Sequence, residues 1–232
     1  MSIHEEMRIE VEGAGPLEFS RGKQVSAIVV HPEKAKWILV LGHGAGAGMH
    51  HPFMSALAEE LGKVGVATLR YQFPYMEEKR KAPDKPTVLT ATVAAAVRAA
   101  AKAAPDLPLL AGGKSMGGRM TSQAAAEGML PGVGGLVFFG FPLHPPKQPG
   151  TKRAEHLAKV TVPMLFLQGT RDDLADLKLL KPICKNLGKQ ATLHVIETAD
   201  HSFHVLKKSG RSDEEVMREL AETTAEWALG PS

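Results

Sequence analysis

The sequence predicts an α/β fold, a mostly parallel, doubly wound sheet of about seven or eight strands with helices on both faces and no large cap domain. Three observations predict it. Apolar runs of strand length alternate with helical patterns from end to end. The run Lys36-Trp-Ile-Leu-Val-Leu-Gly-His43 is apolar without alternation, as in a strand buried on both faces. The loops rich in reactive residue types follow strands, which is where open sheets of this kind form their sites.

Met7–Val11 alternates weakly, and Gln24–His31 carries Val25, Ile28, Val29 and Val30 before Pro32 closes it. Both read as early antiparallel strands at the sheet edge. After the Lys36–His43 run, Pro52–Lys63 has helical spacing, with a proline suited to the first turn. Gly65–Tyr71 is the next strand, Phe73–Pro86 a polar loop and Thr87–Ala104 a long helix. Leu107–Ala111 is a strand, and Met116–Glu127 reads as the helix after it. Gly135–Gly140 is a strand, followed by the proline-rich loop Phe141–Arg153. Val162–Gln168 is a strand, Leu174–Leu187 a helix and Thr192–Ile196 the last strand. Ser212 with Glu215 three residues on is a capping signature for a terminal helix, Asp213–Trp227.

With no internal repeat, linker or low-complexity block, the 232 residues read as one domain, 1–232. Lys and Arg exceed Asp and Glu by only 3, so the charge balance does not point to nucleic acid. The lone Cys184 cannot form an internal disulfide, and in its amphipathic setting it reads as a small buried residue. Met1–Glu6 lacks the basic start and apolar block of a secretory signal. No run has the length of a membrane span, because Arg98 and Lys102 interrupt the alanine-rich Ala91–Ala104. A cytoplasmic protein without a membrane partner is the expectation.

The centre of the chain is Leu109-Leu-Ala-Gly-Gly-Lys-Ser-Met-Gly-Gly-Arg119. It contains G-x-S-x-G between a strand and a helix. A serine on so sharp a turn brings its neighbours two residues away on each side close together, and glycine fits there. The turn lifts the hydroxyl over the N-terminus of the next helix, where amides and the helix dipole favour negative charge. Taken in order, the loops after the strands hold Gly42-His-Gly-Ala-Gly-Ala-Gly48, then Ser115, then Gly169-Thr-Arg-Asp-Asp173, then Ala199-Asp-His201. Oxyanion loop, serine, acid and histidine is the chain order of an alpha/beta-hydrolase triad.

Each part has its own chemistry. A neutral serine hydroxyl is a weak nucleophile, so Ser115 needs a base to take its proton as it attacks. His201 is the candidate base, since imidazole titrates near neutrality. Asp172 is the candidate acid that orients the ring and stabilises the imidazolium. The amide of Met116 is one candidate oxyanion donor, and the glycine-rich loop offers a second, Ala45 or else Gly46. Competing readings accompany these residues. Asp172 can instead cap the following helix, Asp173 and Asp176 are rival acids, and His204 is a rival base. The glycine-rich loop lacks the Lys-Ser/Thr of a P-loop and does not match G-x-G-x-x-G. His43, His50 and His51 lack a partner at a metal-ligand spacing, so no metal or cofactor is expected and His43 is assigned to ordering the oxyanion loop.

Around the expected mouth, Tyr71, Phe73, Tyr75, Phe141, Leu143 and His144 are candidate pocket walls. The loops Met76–Lys85 and Lys147–Arg153 are basic, and Arg70, Lys114, Arg119 and Arg171 lie near the site in sequence. Solvated loops account for this, and attraction of an anionic substrate is the alternative. Only about a dozen residues follow Phe139 before the next helical pattern, so a helical cap does not fit, and an open site for small substrates is expected.

These residues resemble the dienelactone-hydrolase-related branch of the alpha/beta-hydrolases, and within it the testis-expressed hydrolase-like group and its bacterial relatives. The resemblance is carried by Gly42–Gly48, Phe73-Pro-Tyr-Met76, Gly113–Arg119, Phe141-Pro-Leu-His-Pro-Pro146, Gly169–Asp172 and Asp200-His-Ser-Phe203. It implies the same Ser115, Asp172 and His201 triad and a hydrolase of esters or lactones. Dienelactone hydrolase itself uses a cysteine nucleophile where this chain has Ser115. The sequence therefore points to a serine hydrolase of small carboxylic esters, lactones or thioesters, acting as monomer or homodimer. A non-enzymatic interaction module on the same fold, and an acyltransferase or peptidase with the same triad, are the alternatives.

Overall fold

In the computed structural model, which describes residues 3–12 and 24–230, eight strands form one sheet. They are β1 (Ile3–Glu10), β2 (Gln24–His31), β3 (Trp37–Gly42), β4 (Val66–Tyr71), β5 (Leu109–Lys114), β6 (Val133–Phe139), β7 (Met164–Gly169) and β8 (Ala191–Ile196). Their order across the sheet is β1-β2-β4-β3-β5-β6-β7-β8. β1 and β2 are the antiparallel edge, and β4 through β8 run parallel. Met1 and Ser2 of the stretch read for a secretory signal lie outside the described residues.

The apolar runs explain the two-sided core. Along β3, Ile38 and Val40 pack into one layer, with α3 (Pro86–Ala103), α4 (Met116–Ala126) and α5 (Leu177–Leu187). Leu39 and Leu41 pack into the other, against α1 (Pro52–Lys63) and α6 (Asp213–Ala228). A strand with helices on both faces has no polar side to show, so its sequence does not alternate. Ser212 and Glu215 form the expected capping box of α6. Among the described residues there is no large cap domain, and β6 leads only through a loop and a 3₁₀ segment, Lys152–Lys159, into β7. No described helix is long and apolar enough to cross a membrane.

Several elements differ from the sequence reading: β1 spans Ile3–Glu10 rather than Met7–Val11, and β5 spans Leu109–Lys114 rather than Leu107–Ala111. The loop after β4 contains a short helix, α2 (Pro74–Glu77), too brief to show a periodicity. Helix α5 starts at Leu177 rather than Leu174, because Asp176 caps it by accepting from the Lys178 amide. The register sets the site. Gly42 pairs with Gly113, Lys114 with Phe139, Phe139 with Leu167, and Gly169 with Ile196, so five strand ends lie along one edge.

Candidate active site

Ser115 stands between β5 and α4 with φ 50° and ψ −114°, a conformation that L-residues rarely adopt. Two glycines make room for it. A Cβ on Gly117 would lie 2.2 Å from the Gly42 carbonyl oxygen, and one on Gly113 would lie 2.9 Å from the Gly117 carbonyl carbon. The turn is therefore wedged against the end of β3, and the hydroxyl projects beyond the sheet edge.

His201 follows β8 and meets Ser115 there. Its Nε2 lies 2.9 Å from Ser115 Oγ, and its Nδ1 lies 2.7 Å from Asp172 Oδ2. A carboxylate only accepts, so Nδ1 carries the proton and Nε2 is free to accept from the serine. Asp172 is buried and held on every side. Gln168 Nε2 donates to Oδ2, and the Leu174 amide donates to Oδ1 at 2.8 Å. It thus holds the turn before α5 and meets the imidazole at once, while the helix cap, the competing reading for Asp172, falls to Asp176. Asp173 is exposed, and Asp176 caps α5. His204 points away to Asp213, 2.6 Å from its Nδ1, which raises the His204 pKa.

The glycine-rich loop lies beside the serine; a Cβ on Gly44 would be 3.8 Å from Ser115 Cβ. His43 orders it from beneath. The ring is fully buried, donating from Nδ1 to the Gly44 carbonyl at 2.7 Å and accepting the Phe73 amide at Nε2 at 3.1 Å. Burial drives its pKa down to about 4, against the pull of the Gly44 carbonyl. The Gly46 amide is occupied, since it donates to Tyr75 Oη at 3.0 Å. Of the two candidates in the loop, Ala45 lines the cavity and Gly46 does not. Met116 opens α4, where an amide has no acceptor within the helix.

A cavity of about 740 Å³ opens onto Ser115 and His201. Its walls are Ala45 and Ala47, Pro52, Phe53 and Met54 from α1, Leu174, Phe203, and Met217 from α6. The walls named from the sequence are corrected here. Tyr71, Phe73, Tyr75, Phe141, Leu143 and His144 do not line this cavity, because they turn back under the loops into the core. Tyr75 braces the glycine-rich loop, and Phe141 packs on Phe138 and Phe166. His144 accepts the Asp176 amide at Nε2 and so ties the β6 loop to the start of α5. The true walls come from two helices far apart in sequence, α1 and α6, which pack together on one face.

The basic residues scatter. Arg70 donates to Met49 and Ser55, and Arg171 donates to the Thr198 carbonyl. Arg80 is paired with Glu78 and Asp84 inside its own loop. Only Lys114 among the four cations near the site in sequence lines the cavity.

Residues 35–229 match the family described as Alpha/beta hydrolase domain. Solved structures share the architecture. A dienelactone hydrolase from Anabaena variabilis is 21% identical over 98% of this chain and 97% of its own, with a TM-score of 0.74. An a/b serine hydrolase without lid from Xanthomonas campestris is 18% identical over 97% of this chain and 94% of its own, at a TM-score of 0.73. Est1E from Butyrivibrio proteoclasticus is 18% identical over 97% of this chain and 99% of its own, at 0.67. At these identities the likeness speaks for the fold.

Proposed function

The chain belongs to the alpha/beta hydrolase domain family, and from that premise we propose that it is a serine hydrolase of small carboxylic esters, lactones or thioesters. One observation carries the reading: the unbroken line from Ser115 Oγ through His201 to Asp172, at the mouth of a mostly apolar cavity. Kinship to the testis-expressed hydrolase-like group is part of the same proposal and rests on the stretches that carry the resemblance.

His201 Nε2 takes the hydroxyl proton as Ser115 Oγ bonds to the substrate carbonyl carbon. The carbonyl π electrons move onto oxygen, which the amides of Met116 and Ala45 receive. The oxyanion collapses, the bond to the leaving oxygen or sulfur breaks, and the imidazolium gives that atom its proton. Water then attacks the acyl-enzyme with His201 as base, and the acid leaves with Ser115 restored. Asp172 stays ionised throughout and keeps the ring in the tautomer that points Nε2 at the serine.

Replacing Ser115 with Ala is expected to lower turnover of p-nitrophenyl acetate and butyrate by at least about 10³-fold, with an unchanged circular dichroism spectrum. A fluorophosphonate should label the native chain at Ser115 and leave the variant unlabelled. Native protein that neither labels nor hydrolyses any ester of the series would favour the interaction-module alternative.

A further inference from the structure

The x residue before the serine, Lys114, has a side chain that the triad chemistry does not use. Its Nζ is buried and has no hydrogen-bond partner among the described residues. It lies 5.8 Å from the ring centroid of Phe53 and 5.6 Å from that of Phe203, and these two rings stack on each other at 5.8 Å. A Cβ on Gly140 would be 3.2 Å from Nζ, 3.4 Å from Asp172 Oδ2 and 3.5 Å from His201 Cε1. The ammonium, the acid and the imidazole therefore border one small space. Segments carrying Ser115, Asp172 and His201 converge on a single positive charge.

The histidine's loop carries backbone strain at both ends. Thr198 and Phe203 bracket it at φ 61° and 65°, left-handed conformations unfavourable for both residue types. Within the loop, Asp200 Oδ1 accepts the amides of Ser202 and His204, which tightens the turn without fastening it to the sheet. Its first half is tied to the acid's loop, where the Arg171 amide donates to the Ala199 carbonyl at 2.9 Å. Beyond His201, Phe203 stacks on Phe53 beside Lys114, and the chain leaving the loop is held by Asp213, whose Oδ1 accepts the Val205 amide at 2.9 Å and whose Oδ2 meets His204 Nδ1. A cation over an aromatic face, away from water, is attracted to the ring quadrupole.

We propose that the ammonium of Lys114 is a positioning charge that pins the histidine-bearing loop, residues 198–204, to the strand of the nucleophile. This rests on the reading of Ser115 and His201 as nucleophile and base, and deepens it. The groups facing Lys114 are Asp172 from the loop after β7 and Asp200 and His201 from the loop after β8; from α1 it meets only the uncharged Phe53. His51, His204 and Asp213 also line the cavity. Burial lowers the Lys114 pKa to about 8, while Asp172 and Asp200 pull it back up. The charge is held at neutral pH and lost as pH rises through that value.

The test compares full-length native protein with Lys114→Met and Lys114→Arg. Amide hydrogen exchange of the peptide covering residues 198–204 reads the pin directly, corrected for the intrinsic pH dependence. In Lys114→Met these amides should exchange at least about 10-fold faster, with the β-strands unchanged. The kcat for neutral p-nitrophenyl acetate should fall roughly 10- to 100-fold with KM within about twofold, as for a misplaced base. Native protein should lose loop protection and kcat above about pH 8. In Lys114→Arg, which stays charged, that loss should move to higher pH. Unchanged loop exchange in a folded Lys114→Met overturns the proposal. So does a loss confined to KM for carboxylated esters, which would make Lys114 a reader of substrate anions. Should Lys114→Met not fold, native loop protection that is flat from pH 7 to 10 overturns it instead. Absence of Ser115 labelling in the native chain defeats the hydrolase reading alone, because loop exchange still decides the pin.

Discussion

Asp172 carries more at the residue scale than its neighbours, because its two oxygens serve different partners. Oδ1 accepts the Leu174 amide and Oδ2 receives His201 and Gln168. Asp172→Asn keeps the size and one acceptor but turns an amide NH₂ or a single carbonyl toward the ring, and the tautomer that frees Nε2 is no longer enforced. The expected result is a fall in kcat of roughly 10³- to 10⁴-fold at neutral pH, the scale seen when triad aspartates elsewhere are amidated. A loss below about tenfold would remove Asp172 from the acid's role. The adjacency of Ser115, His201 and Asp172 was legible in the sequence because each follows a strand in the parallel part of the sheet, and strand ends share an edge. Lys114 was legible only as a nearby cation. Its burial depends on Phe53 and Phe203, residues separated by 150 positions that meet only when α1 and the histidine's loop close over it.

At the scale of elements, α1 and α6 do what no local pattern announces, which is to build the cavity wall. The aromatic residues after β4 and β6 looked like walls because they follow strands that end at the site. They are core: Phe73 and Tyr75 pack beneath the glycine-rich loop, whereas Phe141 packs on Phe138 and Phe166 and His144 bonds to the start of α5. Helix α1 was legible over its whole span from Pro52 and the apolar spacing, and α6 from its capping box, yet their joint role required knowing that they pack on the same face. Local capping also decided where α5 begins: Asp176 takes the N-cap and leaves Leu174 in the turn that Asp172 holds. Met217 is the apolar residue that α6 gives the cavity, so its size should set how long an acyl chain fits. Met217→Trp is expected to leave kcat/KM for p-nitrophenyl acetate within about threefold and to lower it at least tenfold for hexanoate, since a filled pocket excludes one substrate without touching the chemistry. Equal losses across the series would mean that the acyl chain lies elsewhere.

For the whole molecule, the buried imidazole of His43 ties stability to pH. With a folded pKa of about 4 against 6.5 in the open chain, its contribution is complete above 6.5, where neither state holds the proton. Between 6.5 and about 4 the unfolded chain binds a proton that the folded chain refuses, so stability drops as pH falls, by up to about 1.4 kcal/mol per unit. His156, also lowered to about 4 by burial and by Arg119, slopes the same way, and its partial exposure narrows the pH window over which it does so. The pair His204–Asp213 opposes them on its histidine side: a raised histidine pKa favours the fold below 6.5 and loses that effect as pH rises. That pair is exposed and screened, so the buried histidines decide the sign. Urea unfolding at pH 7.0, 6.0 and 5.0 should show falling stability, and His43→Gln, which can still accept from Phe73 and donate to Gly44, should flatten the slope by roughly 1 kcal/mol per unit. A variant as acid-sensitive as the native chain would move the sensor away from His43. In the folded chain the imidazole stays neutral down to about pH 4, and only its protonation there breaks the bond to the Phe73 amide that steadies the glycine-rich loop, so stability should decline first, below pH 6.5, and the activity of the still-folded protein should feel position 43 only near pH 4.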